Sequence, residues 1–187
     1  MPSKLEIEIK LALPDAARGR AMLREAGFRL IHARRFESNV VFDTADQRLL
    51  NGGCLLRTRE YGERRVITFK QPSIPGKHRT RPETEFDVSD IAAAAALFEG
   101  LGFAPVFRYE KYRAEYWREG EAGLALLDQT PIGDYIELEG AGEWIDGAAK
   151  SLGFGESDYI TQSYGRLYHA YCRTRGLEPG DMVFERP

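Results

Sequence analysis

Charged residues recur at every second position in several parts of this chain. Glu6, Glu8 and Lys10 alternate with Leu5, Ile7, Ile9 and Leu11, and Glu137 and Glu139 alternate with Ile136 and Leu138. Arg57 with Arg59, Arg81 with Glu83 and Glu85, and Lys111 with Arg113 and Glu115 follow the same rule. A period of two belongs to a strand, whose side chains alternate between two faces, so each segment has one charged face. Lys70 and Asp128 join these faces from two further strand-like segments. Carboxylates at i and i+2 repel unless a cation lies between them, and such hard oxygen ligands suit Mg²⁺ or Mn²⁺. Arginines so spaced repel unless an anion lies between them, and guanidinium forks match phosphate oxygens. Both clusters on one surface fit a metal-bound polyphosphate: the anion on the Arg/Lys side, the metal bridging it to the carboxylates. The plainer alternative is a set of solvated ion pairs on exposed strands. If the sheet closes into an eight-stranded barrel, these charges meet in a narrow interior that must be paired, wet or occupied.

The elements that would carry these faces are legible as eight strand-like segments, at about 4–11, 36–43, 54–60, 64–71, 79–88, 107–118, 122–128 and 134–140. Helical periodicity appears four times. Asp15 and Asp90 can N-cap helices that run to about Ala26 and Gly102. A third helix spans about Trp144 to Leu152. A fourth spans about Asp158 to Arg175, with Ile160, Tyr164, Leu167, Tyr168 and Tyr171 as its apolar stripe. Three helices stop at Gly-Phe (Gly27-Phe28, Gly102-Phe103, Gly153-Phe154), each after an acid-x-acid strand. This fits common glycine C-caps or a pseudo-repeated β-α unit. Gly76-Lys77, in the loop Gln71–His78, lacks the first glycine and the Ser/Thr of a phosphate loop.

At 187 residues, 43% hydrophobic and 29% charged, the composition is that of an ordinary globular domain. A net charge of −3 gives no reason to expect nucleic acid or an anionic membrane as partner. Cys54 and Cys172 are too few and too far apart for a disulfide framework or a zinc site, and are expected to be reduced. Met1-Pro2-Ser3-Lys4 leads straight into the first charged strand, and the longest apolar run, Ile91 to Phe98, is short. A cytoplasmic location is expected. Residues 1–176 read as one domain and 177–187 as a flexible or draped tail.

The same charged residues resemble the CYTH domain, the triphosphate tunnel metalloenzymes, a superfamily of class IV adenylyl cyclases, thiamine triphosphatases and inorganic triphosphatases. The resemblance starts at Glu6-x-Glu8-x-Lys10. It continues through Phe42-Asp43-Thr44, Leu56-Arg57-Thr58-Arg59, Thr68-Phe69-Lys70, Arg81-x-Glu83-x-Glu85 and Lys111-x-Arg113. It closes with Asp128, Gly133-Asp134-Tyr135-Ile136-Glu137-Leu138-Glu139 and Ser163-Tyr164. It implies an α+β fold: an eight-stranded antiparallel closed barrel, the triphosphate tunnel, with helices packed outside. It implies Glu6, Glu8, Glu137 and Glu139 as ligands of Mg²⁺ or Mn²⁺, with Asp128 and Glu85 as further candidates. Lys10, Arg57, Arg59, Lys70, Lys111 and Arg113 would hold phosphate oxygens, with Arg81 joining them or pairing with a glutamate. Of these, Glu6, Glu8, Lys10, Arg57, Glu137 and Glu139 would carry the catalysis.

The departures bear on substrate. Val41 stands where the family often has tyrosine, and no residue set defines an adenine pocket or a thiazolium cage. Trp117 and Trp144 are read as external packing. Glu37 and Asn39 face either the tunnel or the strand end, and His78 is the histidine closest to the basic strand. The leading reading is metal-dependent hydrolysis of tripolyphosphate, thiamine triphosphate or a nucleoside triphosphate. The alternatives are a class IV type adenylyl cyclase and a non-catalytic triphosphate-binding module, the last disfavoured because binding an anion alone needs no carboxylates. The expected partner is a small-molecule triphosphate, without nucleic acid or membrane; a homodimer is left open.

Overall fold

All eight alternating segments form strands in the computed structural model, which describes residues 3–185. They are β1 (Lys4–Leu13), β2 (Arg29–Asp43), β3 (Leu55–Tyr61), β4 (Arg64–Lys70), β5 (Arg79–Asp87), β6 (Ala104–Trp117), β7 (Leu124–Thr130) and β8 (Gly133–Glu139). The helices are α1 (Ala16–Glu25), α2 (Arg48–Asn51), α3 (Ile91–Gly100), α4 (Gly142–Ser151) and α5 (Tyr164–Arg175). The strands close into a barrel in the order β1-β5-β4-β3-β2-β6-β7-β8, and every neighbouring pair is antiparallel. The expected closed antiparallel barrel with outer helices is borne out. Among the described residues closure gives every strand a partner on both sides, with short unpaired stretches of β1 and β6 taken by Ile160 and Met182.

The apolar strand faces point outward, beneath helices. Ile9, Leu11, Ala125, Leu127, Ile136 and Leu138 pack against Leu23 of α1 and Ile145, Ala148 and Ala149 of α4. On the other flank Phe42 and Ile67 pack against Ala94 and Phe98 of α3. With apolar side chains committed to the outside, the alternating charges have only the bore to occupy. Asp15 and Asp90 cap α1 and α3 as expected, accepting from Arg18 N and from Ala92 and Ala93 N. The three Gly-Phe stops share one geometry: each glycine has a positive φ, and the phenylalanine N–H donates to the carbonyl five residues back. The strands preceding these helices, β1, β5 and β8, are neighbours in the barrel; Glu8 stands opposite Glu139, while Glu6 faces Arg81 on β5.

Four boundaries differ from the sequence expectation. β2 starts at Arg29 rather than near 36. Its first eight residues are solvent-exposed on both faces, so no alternation marks them. α5 starts at Tyr164, not Asp158: Ser163 caps it, accepting from Arg166 N, and Ile160 exchanges backbone hydrogen bonds with Lys10 at 2.9 Å. The four-residue α2 is too short for periodicity to register. Asp43 holds it by accepting from the N–H groups of Leu49 and Leu50. Lastly, the segment after α5 returns along β6. β7 pairs β6 only from Tyr112 onward, and Met182 takes the edge before it, bonding Arg108 and Glu110 through the backbone at 2.9 Å.

Candidate active site

The charged faces line one cavity of about 780 Å³ in the barrel bore. Glu6, Glu8, Lys10, Arg57, Arg59, Lys70, Arg81, Glu85, Lys111, Arg113, Glu137 and Glu139 all reach it. Its acidic wall is β8-β1-β5; its basic wall comes from β3, β4 and β6. The two walls are cross-linked. Lys70 Nζ lies 2.5 and 2.6 Å from the two oxygens of Glu6 and 3.4 Å from Glu83. Lys10 Nζ lies 3.0 Å from both Glu8 and Glu137. Arg79 donates to Glu8 (3.1 Å), Lys4 to Glu139 (3.2 Å) and Arg59 to Glu85 (2.7 Å).

Two buried guanidiniums of the bore, Arg57 and Arg81, lack any carboxylate within ion-pair distance among the described residues. Arg57 donates to Tyr109 Oη (2.6 Å) and Thr68 Oγ1 (3.1 Å). Arg81 reaches only the Gly53 carbonyl at 3.5 Å, and the Nε of each is buried without a partner. Burial and Arg79 beside it push Arg81 down to about 10, so it is still a cation at neutral pH. Burial opposes the charge of Arg57, but Tyr109, Glu37 and Glu83 outweigh it, whereas Arg81 is an under-compensated buried cation, which is costly unless an anion joins it.

Asp128 is placed differently from the other acids. It is fully buried, does not line the cavity, and accepts from Arg113 (2.7 and 2.6 Å), Lys111 (2.9 Å) and Tyr164 Oη (2.7 Å). Its oxygens are taken by donors, and it orients two basic side chains toward the bore. Glu85 likewise accepts from Arg59 and Thr68. Glu37 and Asn39 face the interior and are fully buried. Burial would raise the Glu37 carboxyl, but Lys111, Arg113, Arg59 and Arg57 hold it at about 2.

The carboxylates crowd one another. Burial, reinforced by Glu6 and only partly offset by Lys70, pushes Glu83 up to about 7. Glu6 is held low, because Lys70 overrides its burial. Burial raises Glu139 too, with Glu6 and Glu137 adding to it. Glu137 is held well below the carboxylate range: burial opposes this, but Lys10, Arg113 and Lys111 prevail. Glu83 and Glu139 are thus crowded within the acidic wall despite the lysines beside them, a local condition that a divalent cation would relieve. As placed, no three His, Cys, Asp or Glu side chains among the described residues converge on one point. The Lys70 and Lys10 ammoniums occupy the space between carboxylates. The donor chemistry fits a hard cation; the first ligands would be Glu6, Glu8, Glu137 and Glu139.

The sequence placed Glu83 on a charged face without a role and did not nominate Arg79, Tyr109 or His169; all four line the cavity. Arg79 was recoverable, since 79, 81, 83 and 85 share one strand face. His169 lies on α5, whose orientation depends on long-range packing. His78 stays outside, with Asp146 at 2.8 Å. Trp144 also packs outside, against Phe28 and over Gly123 and Gly140, where a Cβ would lie 2.2 and 2.8 Å from its ring. Trp117 donates to the Glu121 carbonyl. Cys54 and Cys172 are free thiols. No helix among the described residues is long and apolar enough to cross a membrane.

A closed eight-stranded antiparallel barrel with a bore of facing acidic and basic walls defines a class of tunnel-barrel proteins. The chain belongs to the CYTH domain family, whose profile matches residues 4–164. Members of this family are enzymes, adenylyl cyclases or triphosphatases, typically dependent on a divalent metal. A Methanocaldococcus jannaschii protein named as a candidate adenylate cyclase is 28% identical over 135 residues, 72% of this chain and 76% of that one. A Vibrio parahaemolyticus structure, also described as a candidate adenylate cyclase, superposes with a TM-score of 0.73 at 17% identity, covering 88% of this chain and 97% of that one. A Hippeastrum structure, described as a candidate adenylyl cyclase with dominant triphosphatase activity, gives 0.61 at 19% identity, covering 94% and 97%. At these identities the two structures speak for the fold.

Proposed function

We propose that the chain is a divalent-metal-dependent triphosphatase acting on a small-molecule triphosphate bound in the barrel. The observation that carries this reading is the pair Arg57 and Arg81: buried guanidiniums in the bore with no carboxylate partner. They stand beside carboxylates crowded enough to raise Glu83 to about 7. An anion and a cation together relieve both conditions, and a metal-bound polyphosphate supplies both.

In this reading Arg57, Arg59, Arg81, Lys111 and Arg113 take the phosphate oxygens. Asp128 and Tyr164 hold Lys111 and Arg113 in place. Lys10 and Lys70 neutralise the acidic wall until substrate enters. A divalent ion held by Glu6, Glu8, Glu137 and Glu139 would supply charge neutralisation and Lewis acidity at the phosphoryl oxygens. The chain's own part is to align the phosphates and present positive charge to the transferring phosphoryl group. The Hippeastrum relative's triphosphatase description supports hydrolysis.

The name of the M. jannaschii relative favours a second reading, ATP cyclisation. That reaction further requires the ribose 3′-oxygen in line with the α-phosphorus. Incubation with Mg²⁺ or Mn²⁺ and either tripolyphosphate or ATP separates the readings. Orthophosphate is the expected product. Cyclic AMP as the main product, with tripolyphosphate intact, would make the chain a cyclase; binding without turnover would make it a binding module.

A further inference from the structure

Tyr164, the first residue of α5, stands where the two walls of the bore meet. Its ring centroid is 5.1 Å from Lys10 Nζ on the acidic wall and 5.1 Å from Lys111 Nζ on the basic wall. Both lysines are buried, and the strands that carry them, β1 and β6, are separated in the barrel by β7 and β8. Among the described residues no other ring has two cations over it. The ring is fixed from three sides. Ser163 caps the helix that begins with it, Tyr135 meets it edge-on at 5.6 Å and 71°, and its Oη donates to Asp128 Oδ2 at 2.7 Å. Burial, with the charges of Asp128 and Glu137, raises the hydroxyl well above its usual range, so it stays a neutral donor.

We infer that Tyr164 is a positioning residue whose ring face, separately from its hydroxyl, seats Lys10 and Lys111 for the phosphates of the substrate. The inference deepens the triphosphatase reading and rests on it. An aromatic face attracts an ammonium through its quadrupole, and more strongly where water is excluded. Two ammoniums that repel each other thus share one neutral, immobile anchor. Their carboxylate partners are less constant. Lys10 lies 3.0 Å from Glu8 and from Glu137, both proposed metal ligands, so a cation entering there takes its ion pairs away. Lys111 lies 2.9 Å from Asp128 and 3.6 Å from Glu37, and a phosphate drawn to it competes with both. The ring stays available throughout. Without ligand, either lysine can relax onto its carboxylates when the ring attraction weakens; with ligand bound, it cannot. The ring contact therefore weighs more in the bound state, and that difference is what changes affinity.

The test replaces Tyr164 by phenylalanine and then by phenylalanines carrying one, two and three ring fluorines. Fluorine draws electron density from the ring with little change in volume, so packing is kept while the attraction for cations falls. Calorimetric titration with tripolyphosphate and Mg²⁺ reads Kd, and thermal unfolding without ligand confirms that each variant is folded. Tyr164→Phe should raise Kd about threefold, the loss of one hydroxyl bond. Kd should then climb with every fluorine, to about tenfold above that of Tyr164→Phe at three. The slope of the series should flatten when Lys10→Met removes one of the two cations. A series flat in fluorine overturns the seat and leaves the triphosphatase reading intact, with the hydroxyl as the whole of the residue's role. A slope unchanged by Lys10→Met and by Lys111→Met also overturns it, because the fluorines then act on neither lysine. A parent chain that does not bind tripolyphosphate overturns the triphosphate reading itself, and the seat falls with it.

Discussion

Arg57 and Glu83 face opposite problems of burial. Arg57 is a buried cation with no carboxylate in direct contact; burial opposes its charge, but Tyr109, Glu37 and Glu83 hold it, and its unpaired Nε is open to an anion. Replacing Arg57 by Ala should weaken both tripolyphosphate and ATP about 10- to 100-fold, from a lost charge-assisted contact of roughly 1.5–3 kcal/mol. Calorimetric titration with both compounds checks this; a loss confined to ATP would move Arg57 to the organic group. Glu83 is a carboxyl whose folded pKa, about 7, lies above the ordinary value of 4.5. Between those values the folded chain holds a proton that the unfolded chain has released, so stability falls as pH rises through that window. Glu83→Gln removes that loss. The variant should unfold later than the parent at pH 8, by on the order of 1–3 kcal/mol given that the proton is shared with Glu6, and should match it near pH 4. Melting curves with chelator present test this, and equal curves at pH 8 would refute it. Glu139→Gln relieves a similar crowding while removing a carboxylate from the proposed metal wall. Activity at fixed Mg²⁺ should drop by orders of magnitude with little change in melting temperature; parental activity would exclude Glu139 as a ligand.

At the scale of elements, what was legible in the sequence is what alternation or a cap encodes locally. β1, β3, β4, β5 and β8 were readable because each has one apolar and one charged face in a short segment. α1 and α3 were readable from Asp15 and Asp90. The first half of β2, from Arg29, has both faces in water and carries no pattern, although it pairs with the end of β6. Ile160 fits the apolar stripe of α5 by spacing, yet the edge of β1 at Lys10 claims its backbone. In the site, the charged faces were readable but the partners were not. Which lysine meets which glutamate depends on the shear of the closed barrel, and so does the withdrawal of Asp128 from the cavity. The segment after α5 shows the same dependence. Its sequence reads as a tail, while the structure makes Met182 part of the wall behind Tyr109 and Tyr164. A chain ending at Glu178 should lose about 2–3 kcal/mol, the value of one buried Met side chain. It should also bind tripolyphosphate less tightly, because Tyr109 holds Arg57. Chemical denaturation of the shortened chain checks the first effect, and an unchanged midpoint would mean the wall closes without the segment.

For the whole molecule, closure couples the site to stability. Every strand pairs on both sides, and the charges that repel within the bore come from six of the eight strands. An anion on Arg57 and Arg81, with a cation among Glu6, Glu8, Glu137 and Glu139, relieves repulsion on both walls at once. A ligand that binds only the folded barrel stabilises it by RT ln(1 + [L]/Kd), about 2.7 kcal/mol at a hundredfold excess over Kd. For a chain of this size that corresponds to a rise in melting temperature of roughly 5–10 °C. Tripolyphosphate with Mg²⁺ should therefore shift the whole unfolding transition upward, saturably and as one step. Each component alone should shift it less, since the anion alone faces the acidic wall and the cation alone competes with Lys10 and Lys70. The measurement is differential scanning calorimetry of parent and Arg57→Ala, with Mg²⁺, tripolyphosphate or both. If the two shifts simply add, or if Arg57→Ala shows the parental shift, the anion and cation do not meet in the bore as proposed.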